Sequence, residues 1–400
     1  NSSVGSVDIT VARSNDDTSG TIYGVQGGTV NVADTSETAI HIAVSKGSVG
    51  VVKAMCGADV TTGKGINKAV AVEISGGNIM GSLDGISGGT VVMEETTGTA
   101  LAIDVKGNTA VNGSLTGIQN TMGGSSDRVK VKGSVDINID GQQGKSTTGI
   151  CTAVNGAVDL DGGITVNVDH ADMTCGLVMA QNGAVVEDDV LLDMGADASV
   201  TSGPGLKGIE NAVAKKNVTL NVRGSSAASS SDDLYGAYGS VNGYNYTVGG
   251  DLTINYMGGT WGTLYGAYMN AHVQGNLTMR VKKGMIQGLK GTYQSNIGMD
   301  ARILAGKYAL ESSDSMTEES AVVKIAGYQG VYGFAGRVGG DCEFRICNSE
   351  KEKSAAELDV FNGTCDIIGS LSVEVTGGKY SSCNRNAATH VIGKACNIVI

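Results

Sequence analysis

Four cations recur at nearly even spacing in the last third of the chain: Arg280, Arg302, Lys324 and Arg345, separated by 22, 22 and 21 residues. If the fold returns that interval to one line, they form a basic track able to hold an acidic polysaccharide or another polyanionic polymer. The competing reading is a solvated charged face, partly neutralised by Asp300 and Glu343. A second set is aromatic. Tyr235, Tyr238, Tyr265, Tyr268 and Tyr293 are five of the 13 tyrosines and stand close to Trp261. Such a strip can stack on sugars, form an assembly surface or simply fill a locally wider core.

Catalytic and metal chemistry find less support. The acidic groups Asp16-Asp17, Glu94-Glu95, Glu187-Asp188-Asp189 and Asp232-Asp233 are runs of sequence neighbours. Neighbours on a strand point to opposite faces, so such a run does not by itself make the facing carboxylate pair of a glycoside-cleaving site. A calcium-binding corner at 187–189 is conceivable, but the GGxGxDxUx calcium repeat does not occur. Nor do a phosphate loop, HExxH or GxSxG. Only four histidines and no CxxC accompany the eight cysteines, which argues against a zinc framework. Cys342, Cys347, Cys365, Cys383 and Cys396 crowd the C-terminal part, as a disulfide cluster or as buried thiols. The expectation is a protein without enzymatic activity, metal or cofactor.

The spacing of the cations belongs to a repeat that runs through the chain. Apolar-x-apolar-polar-apolar returns fifteen times, from VDITV at Val7 through VDINI at Val135 and LTINY at Leu252 to CNIVI at Cys396. It includes MDARI at Met299 and AVVKI at Ala321, which supply Arg302 and Lys324. The mean spacing, (396 − 7)/14, is about 28 residues. Strict alternation marks each copy as a strand with its first, third and fifth residues inward. A second element, SLTGI, LKGIE or LYGAY, follows many copies, and a shorter apolar stretch such as AVNGAV follows that. Three strands and three Gly-rich corners describe one coil, so the predicted fold is all-β: a parallel β-helix of about fifteen coils occupying 1–400 as a single domain. Polar runs at 224–233, 312–320 and 349–355 read as corner loops. Outward residues of successive coils should stack in columns, with the amides at the fourth position forming ladders between coils.

Composition agrees with a narrow coil. Gly supplies 62 residues, Pro one and aromatics 4%, while 41% of residues are hydrophobic, mostly small aliphatics. A net charge of −12 argues against nucleic acid as a general partner, because phosphate binding needs a basic surface. No apolar run is long enough for a transmembrane segment.

The units VGGDLTINYMGGTWGTLYGAY and VQGNLTMRVKKGMIQGLKGTY, within 233–292, resemble the Gly-rich β-solenoid repeats of bacterial surface proteins and adhesins. The resemblance implies an extracellular or cell-surface setting and carries over no catalytic residue. Solenoid strands run close to both ends of the chain: Val7, Ile9 and Val11 at one, Cys396, Ile398 and Ile400 at the other. Open edges of this kind template pairing with another chain, so either the sequence is a segment of a longer protein or its partner is a further copy stacked head to tail. The second, a structural filament, is the leading expectation. An adhesin stalk binding surface polysaccharide is the alternative, and a β-helical polysaccharide lyase or hydrolase ranks below both.

Overall fold

A computed structural model describes residues 3–12, 20–32, 38–95, 97–120, 128–141, 146–200, 205–226, 232–239, 246–350, 355–383 and 390–399. Ile400, Asp16, Asp17, the centre of the 224–233 loop and most of the 349–355 loop lie outside these residues. The fold is an all-β parallel solenoid, with fourteen entry strands among the described residues where the sequence pattern predicts fifteen. Its residues group into two compact units, Asn1–Gly203 and Pro204–Ile400.

In the first unit, the apolar-x-apolar copies form the entry strands Val7–Ala12, Thr38–Val49, Lys68–Ile74, Thr99–Lys106, Ser134–Asp140, Ile164–Asp169 and Val190–Met194. Each pairs in parallel with the next, with equivalent residues opposite: Val70 with Leu101, Leu101 with Val135, Val135 with Ile164. Ser134–Asp140 alternates half-buried and buried residues, with Val135, Ile137 and Ile139 inward, as the alternation predicts. The SLTGI-type segments form a second stack, in which Leu115 faces Leu83 and Cys151. The shorter apolar segments form a third, with Val129 opposite Val158. One element had no sequence signal. A short strand, at Gly77–Ile79, Ala110–Val111, Ser146–Thr148 and Ala171–Met173, follows the entry strand and pairs coil to coil. Two or three residues are too few for a period to register.

The second unit repeats the plan with entry strands Val218–Val222, Leu252–Tyr256, Leu277–Val281, Ala301–Ala305, Cys342–Asn348, Leu371–Gly377 and Cys396–Val399. Here two sequence copies fail. Ala301–Ala305 pairs directly with Cys342–Asn348, so AVVKI at 321 is not an entry strand. The segment after Ala305 leaves the coil through a 3-10 turn, Gly306–Ala309, and a polar loop. It rejoins as Val323–Val338, paired with Gly284–Tyr293 in the second stack. The strand at 301 is also offset from the expected MDARI frame: Leu277 faces Ala301, which leaves Met299 exposed. An inward Ala301 satisfies the alternation as well as Met299 does, and hydrophobicity alone chose the wrong frame.

The core is thin, and the second stack explains how. Its Leu-x-Gly pattern sets glycines opposite the entry-strand side chains. A Cβ on Gly236 would lie 2.9 Å from Ile254 Cδ1 and 2.8 Å from the Gly266 carbonyl oxygen. One on Gly85 would lie 2.6 Å from Leu101 Cδ2. Contacts that short exclude any side chain. The glycines let two sheets of aliphatic residues close on each other. Where the coil widens, aromatics fill it: Trp261, Tyr256, Phe334 and Phe344 are fully buried. Trp261 donates from Nε1 to the Gly224 carbonyl at 2.9 Å, so it belongs to the core and not to a surface strip.

Candidate functional site: an outward tyrosine ladder

Glycine inside the second stack leaves its second and fifth positions outside. In-register pairing then aligns each position with its equivalent one coil on. In the second unit one column runs Lys207, Tyr235, Tyr265, Lys290, Tyr332, Asp359. The other runs Glu210, Tyr238, Tyr268, Tyr293. All five predicted tyrosines are thus brought together. Tyr235 and Tyr265 stack with centroids 4.6 Å apart and planes 7° from parallel. Tyr238, Tyr268 and Tyr293 stack at 5.7 and 5.2 Å. Edge-on contacts of 5.2 Å (Tyr235 with Tyr238) and 4.6 Å (Tyr265 with Tyr268) join the columns into one array.

Lysines bound the array on both sides. Lys207, almost buried, lies 4.7 Å from the Tyr238 ring centre and pairs with Glu210 at 2.7 Å. Lys290 sits between the rings of Tyr265, at 5.1 Å, and Tyr332, at 5.4 Å. Ring quadrupoles favour both placements. Burial pushes the Lys290 ammonium below its usual range, and the Asp233 carboxylate opposes that shift. Burial, reinforced by Asp233, holds the phenols of Tyr235 and Tyr265 far above theirs. Tyr235 donates to Asp233 at 3.1 Å and Tyr332 donates to Glu357 at 2.7 Å. Lys207, Lys290 and Tyr332 belong to the same strip, which the tyrosine pattern alone does not show. Aligning LKGIE, LYGAY and LKGTY residue by residue would have found the two lysines.

The four cations do not share a column. Arg280 faces Asn255 and Leu304, and Leu304 faces Arg345. Arg302, displaced by the frame shift, stands at a second position between Thr278 and Glu343, and Lys324 belongs to a different stack, opposite Met285. Three of them carry acidic partners. Arg280 pairs with Glu311 at 2.8 Å, Arg302 lies 3.7 Å from Asp300, and Arg345 pairs with Glu374 at 2.6 Å. Arg345 also covers the Tyr308 ring at 4.3 Å.

Polar ladders occupy other outward columns. Asn167 donates to Asn138 at 2.7 Å and Asn138 to Asp104 at 3.1 Å, while Asn255 donates to Asn221 at 2.9 Å, as the amide columns predicted. A further ladder lies where the chain enters the strands that begin at Val218, Leu252, Leu277, Ala301, Cys342 and Leu371. The Asn217 side chain accepts the Asp251 N–H, Asp251 that of Asn276, Asn276 that of Asp300, Asp300 that of Asp341, and Asp341 that of Ser370, all at 2.7–3.1 Å.

An open groove in the first unit is lined by Asp8, Thr38, His41, Lys68 and Glu73, with His41 Nδ1 3.1 Å from Asp8. Among the described residues no group of three or more His, Cys, Asp or Glu side chains could hold a metal ion. No helix among them is long and apolar enough to cross a membrane. The seven cysteines with described side chains are free thiols, and burial pushes Cys151 and Cys365 up to about 12. Of the predicted assembly edges, Val7, Ile9 and Val11 are half-buried, and Cys396 and Ile398 exposed.

The pairing and the columns define a parallel β-solenoid. No family model, curated protein or solved structure matches the chain.

Proposed function

We propose that this chain is an extracellular or cell-surface structural protein whose coils stack on those of further copies. The observation that carries this reading is the destination of the outward polar groups. Amides, aspartates and tyrosines each bind the equivalent residue one coil away, an arrangement suited to cohesion along the stack. In-register parallel pairing is indifferent to which chain supplies the next coil, so head-to-tail addition of another copy fits the same geometry. The likeness of 233–292 to bacterial surface repeats supports the setting.

An adhesin that binds surface polysaccharide is the second reading. The groove at Asp8, His41, Lys68 and Glu73 favours it, because mixed donors and acceptors suit sugar hydroxyls. The tyrosine strip does not, since its ring faces stack on one another. Electron microscopy over a concentration series, paired with a glycan array, separates the two. Fibres that lengthen with concentration support the structural role. A strictly monomeric particle that retains a glycan supports the adhesin, and turnover of an acidic polysaccharide overturns both.

A further inference from the structure

We infer that the stacked pair Tyr235 and Tyr265 is a site of oxidative modification, at which a one-electron oxidant joins two successive coils through an intrachain dityrosine bond. The inference rests on ring geometry and does not depend on the structural role proposed above.

Aryl coupling of two phenoxyl radicals begins with overlap of p orbitals, which project perpendicular to each ring. Two rings 4.6 Å apart and 7° from parallel are therefore already placed along the approach direction. A proton acceptor is also in place. Tyr235 donates to the Asp233 carboxylate at 3.1 Å, so loss of an electron from this phenol can be coupled to transfer of its proton to Asp233. The proton of Tyr265 leaves to solvent. Because Tyr265 is only 7% exposed, its ring is poorly placed to meet a tyrosine of another molecule, and its stacked neighbour is the available partner.

The reaction balances with hydrogen peroxide as oxidant, activated by a haem peroxidase. Each phenol gives up one electron and one proton, and the two radicals form one carbon–carbon bond between positions ortho to the hydroxyls. The ring hydrogens at those positions then migrate to the oxygens and restore both phenols. The two electrons and two protons reduce one peroxide to two waters. Tyr238, Tyr268 and Tyr293, at 4.6–5.7 Å from their neighbours in the array, can pass an oxidising equivalent to the pair from the surface.

The test treats the folded chain with peroxidase and peroxide and maps the product. Cleavage before aspartates separates fragment 233–250, which holds Tyr235, from fragment 251–299, which holds Tyr265. The expected product is a monomer with dityrosine fluorescence, in which these fragments are joined through Tyr235 and Tyr265. Tyr265→Phe, which keeps the stacked ring, should remove that junction, and Asp233→Asn should slow its formation. Tyr23→Phe, at a 41% exposed tyrosine of the first unit, should change neither. Dityrosine confined to intermolecular dimers, or an unchanged junction yield in Tyr265→Phe, overturns the proposal. Mapping of the unmodified sequence decides the matter even if a variant fails to fold.

Discussion

The Lys282 ammonium and the Asp314 carboxylate meet at 2.7 Å, and this contact fastens the polar loop that follows Ala305 to the entry-strand face. Arg280 with Glu311, 2.8 Å apart, makes a second clasp on the same loop. The Lys282 side chain is only 8% exposed, so water has little room to take the place of that carboxylate. Asp314→Ala should leave a nearly buried cation unpartnered, at a cost of about 1–3 kcal/mol. Limited proteolysis within 311–320 is expected to accelerate while the strand signal in circular dichroism persists.

The same clasp should respond to acid. Hydrogen bonds from Lys282 and from the Glu311 backbone N–H hold the Asp314 carboxyl below the usual carboxylate range. A folded value below the unfolded one means that the contact stabilises fully above the unfolded value, about 4. That contribution is lost as pH falls through the depressed value. Loop cleavage in the wild type should therefore rise only at pH values below those at which free carboxylates titrate, and Asp314→Asn should cleave rapidly at every pH. A wild-type rate that is flat through this acid range would remove Asp314 as the clasp.

Much of this architecture is legible in sequence, and its failures have physical causes. VDINI and LTINY fix strand, face and register because alternation and burial agree. The amide ladder from Asp104 to Asn167 follows from register alone. MDARI and AVVKI mislead because an apolar residue two places early, or an apolar run that rejoins another stack, satisfies the same pattern. The basic track failed with them, since the column positions of Arg302 and Lys324 depended on those two frames. The tyrosine strip was legible because two LYGAY copies are identical. Its lysines were not, because their equivalence to tyrosine appears only when coils are paired residue by residue.

The thin core makes a sharp demand on the glycine column. A Cβ at Gly266 would press on the Gly291 carbonyl oxygen and lie 2.9 Å from Met279 Sδ and 3.1 Å from Leu277 Cδ1. A carbonyl in a paired strand has little room to retreat, so Gly266→Ala should destabilise by about 1–3 kcal/mol or more. Gly5→Ala, where nothing lies within 4 Å, should leave the thermal midpoint unchanged. Equal melting of the two variants would show that the sheets can separate to admit a methyl group.

The side-chain ladder at the strand entries should distinguish charge from hydrogen bonding. Asp300 accepts the Asp341 N–H at 2.9 Å, a role that an amide oxygen fills equally well, as Asn276 does one coil earlier. Asp300→Asn is expected to melt with the wild type. Asp300→Ala should lose about 1 kcal/mol, measured by denaturant unfolding, because one backbone donor goes unpaired. If Asp300→Asn proved as unstable as the alanine variant, the carboxylate charge, 3.7 Å from Arg302, would be the operative property.

Alkali should attack the second unit through its tyrosines. Burial, a hydrogen bond to Glu357 and the charges of Glu357 and Asp359 push Tyr332 up to about 12. Burial drives Tyr235, Tyr256 and Tyr265 further in the same direction. An unfolded tyrosine ionises near pH 10. With folded values above unfolded ones, the neutral phenols contribute stability that is fully present below about pH 10 and declines as pH rises toward the folded values. An ultraviolet titration followed alongside circular dichroism reads the ionisation of these buried phenols against the state of the fold. Tyr235, Tyr265 and Tyr332 should ionise only together with loss of the circular dichroism signal, because burial disfavours their phenolates in the folded column. Tyr332→Phe, which cannot ionise, should move the alkaline midpoint upward. Ionisation of Tyr235, Tyr256, Tyr265 and Tyr332 near pH 10 with the fold intact would mean that these phenols are solvated and that burial in the coils does not hold them neutral.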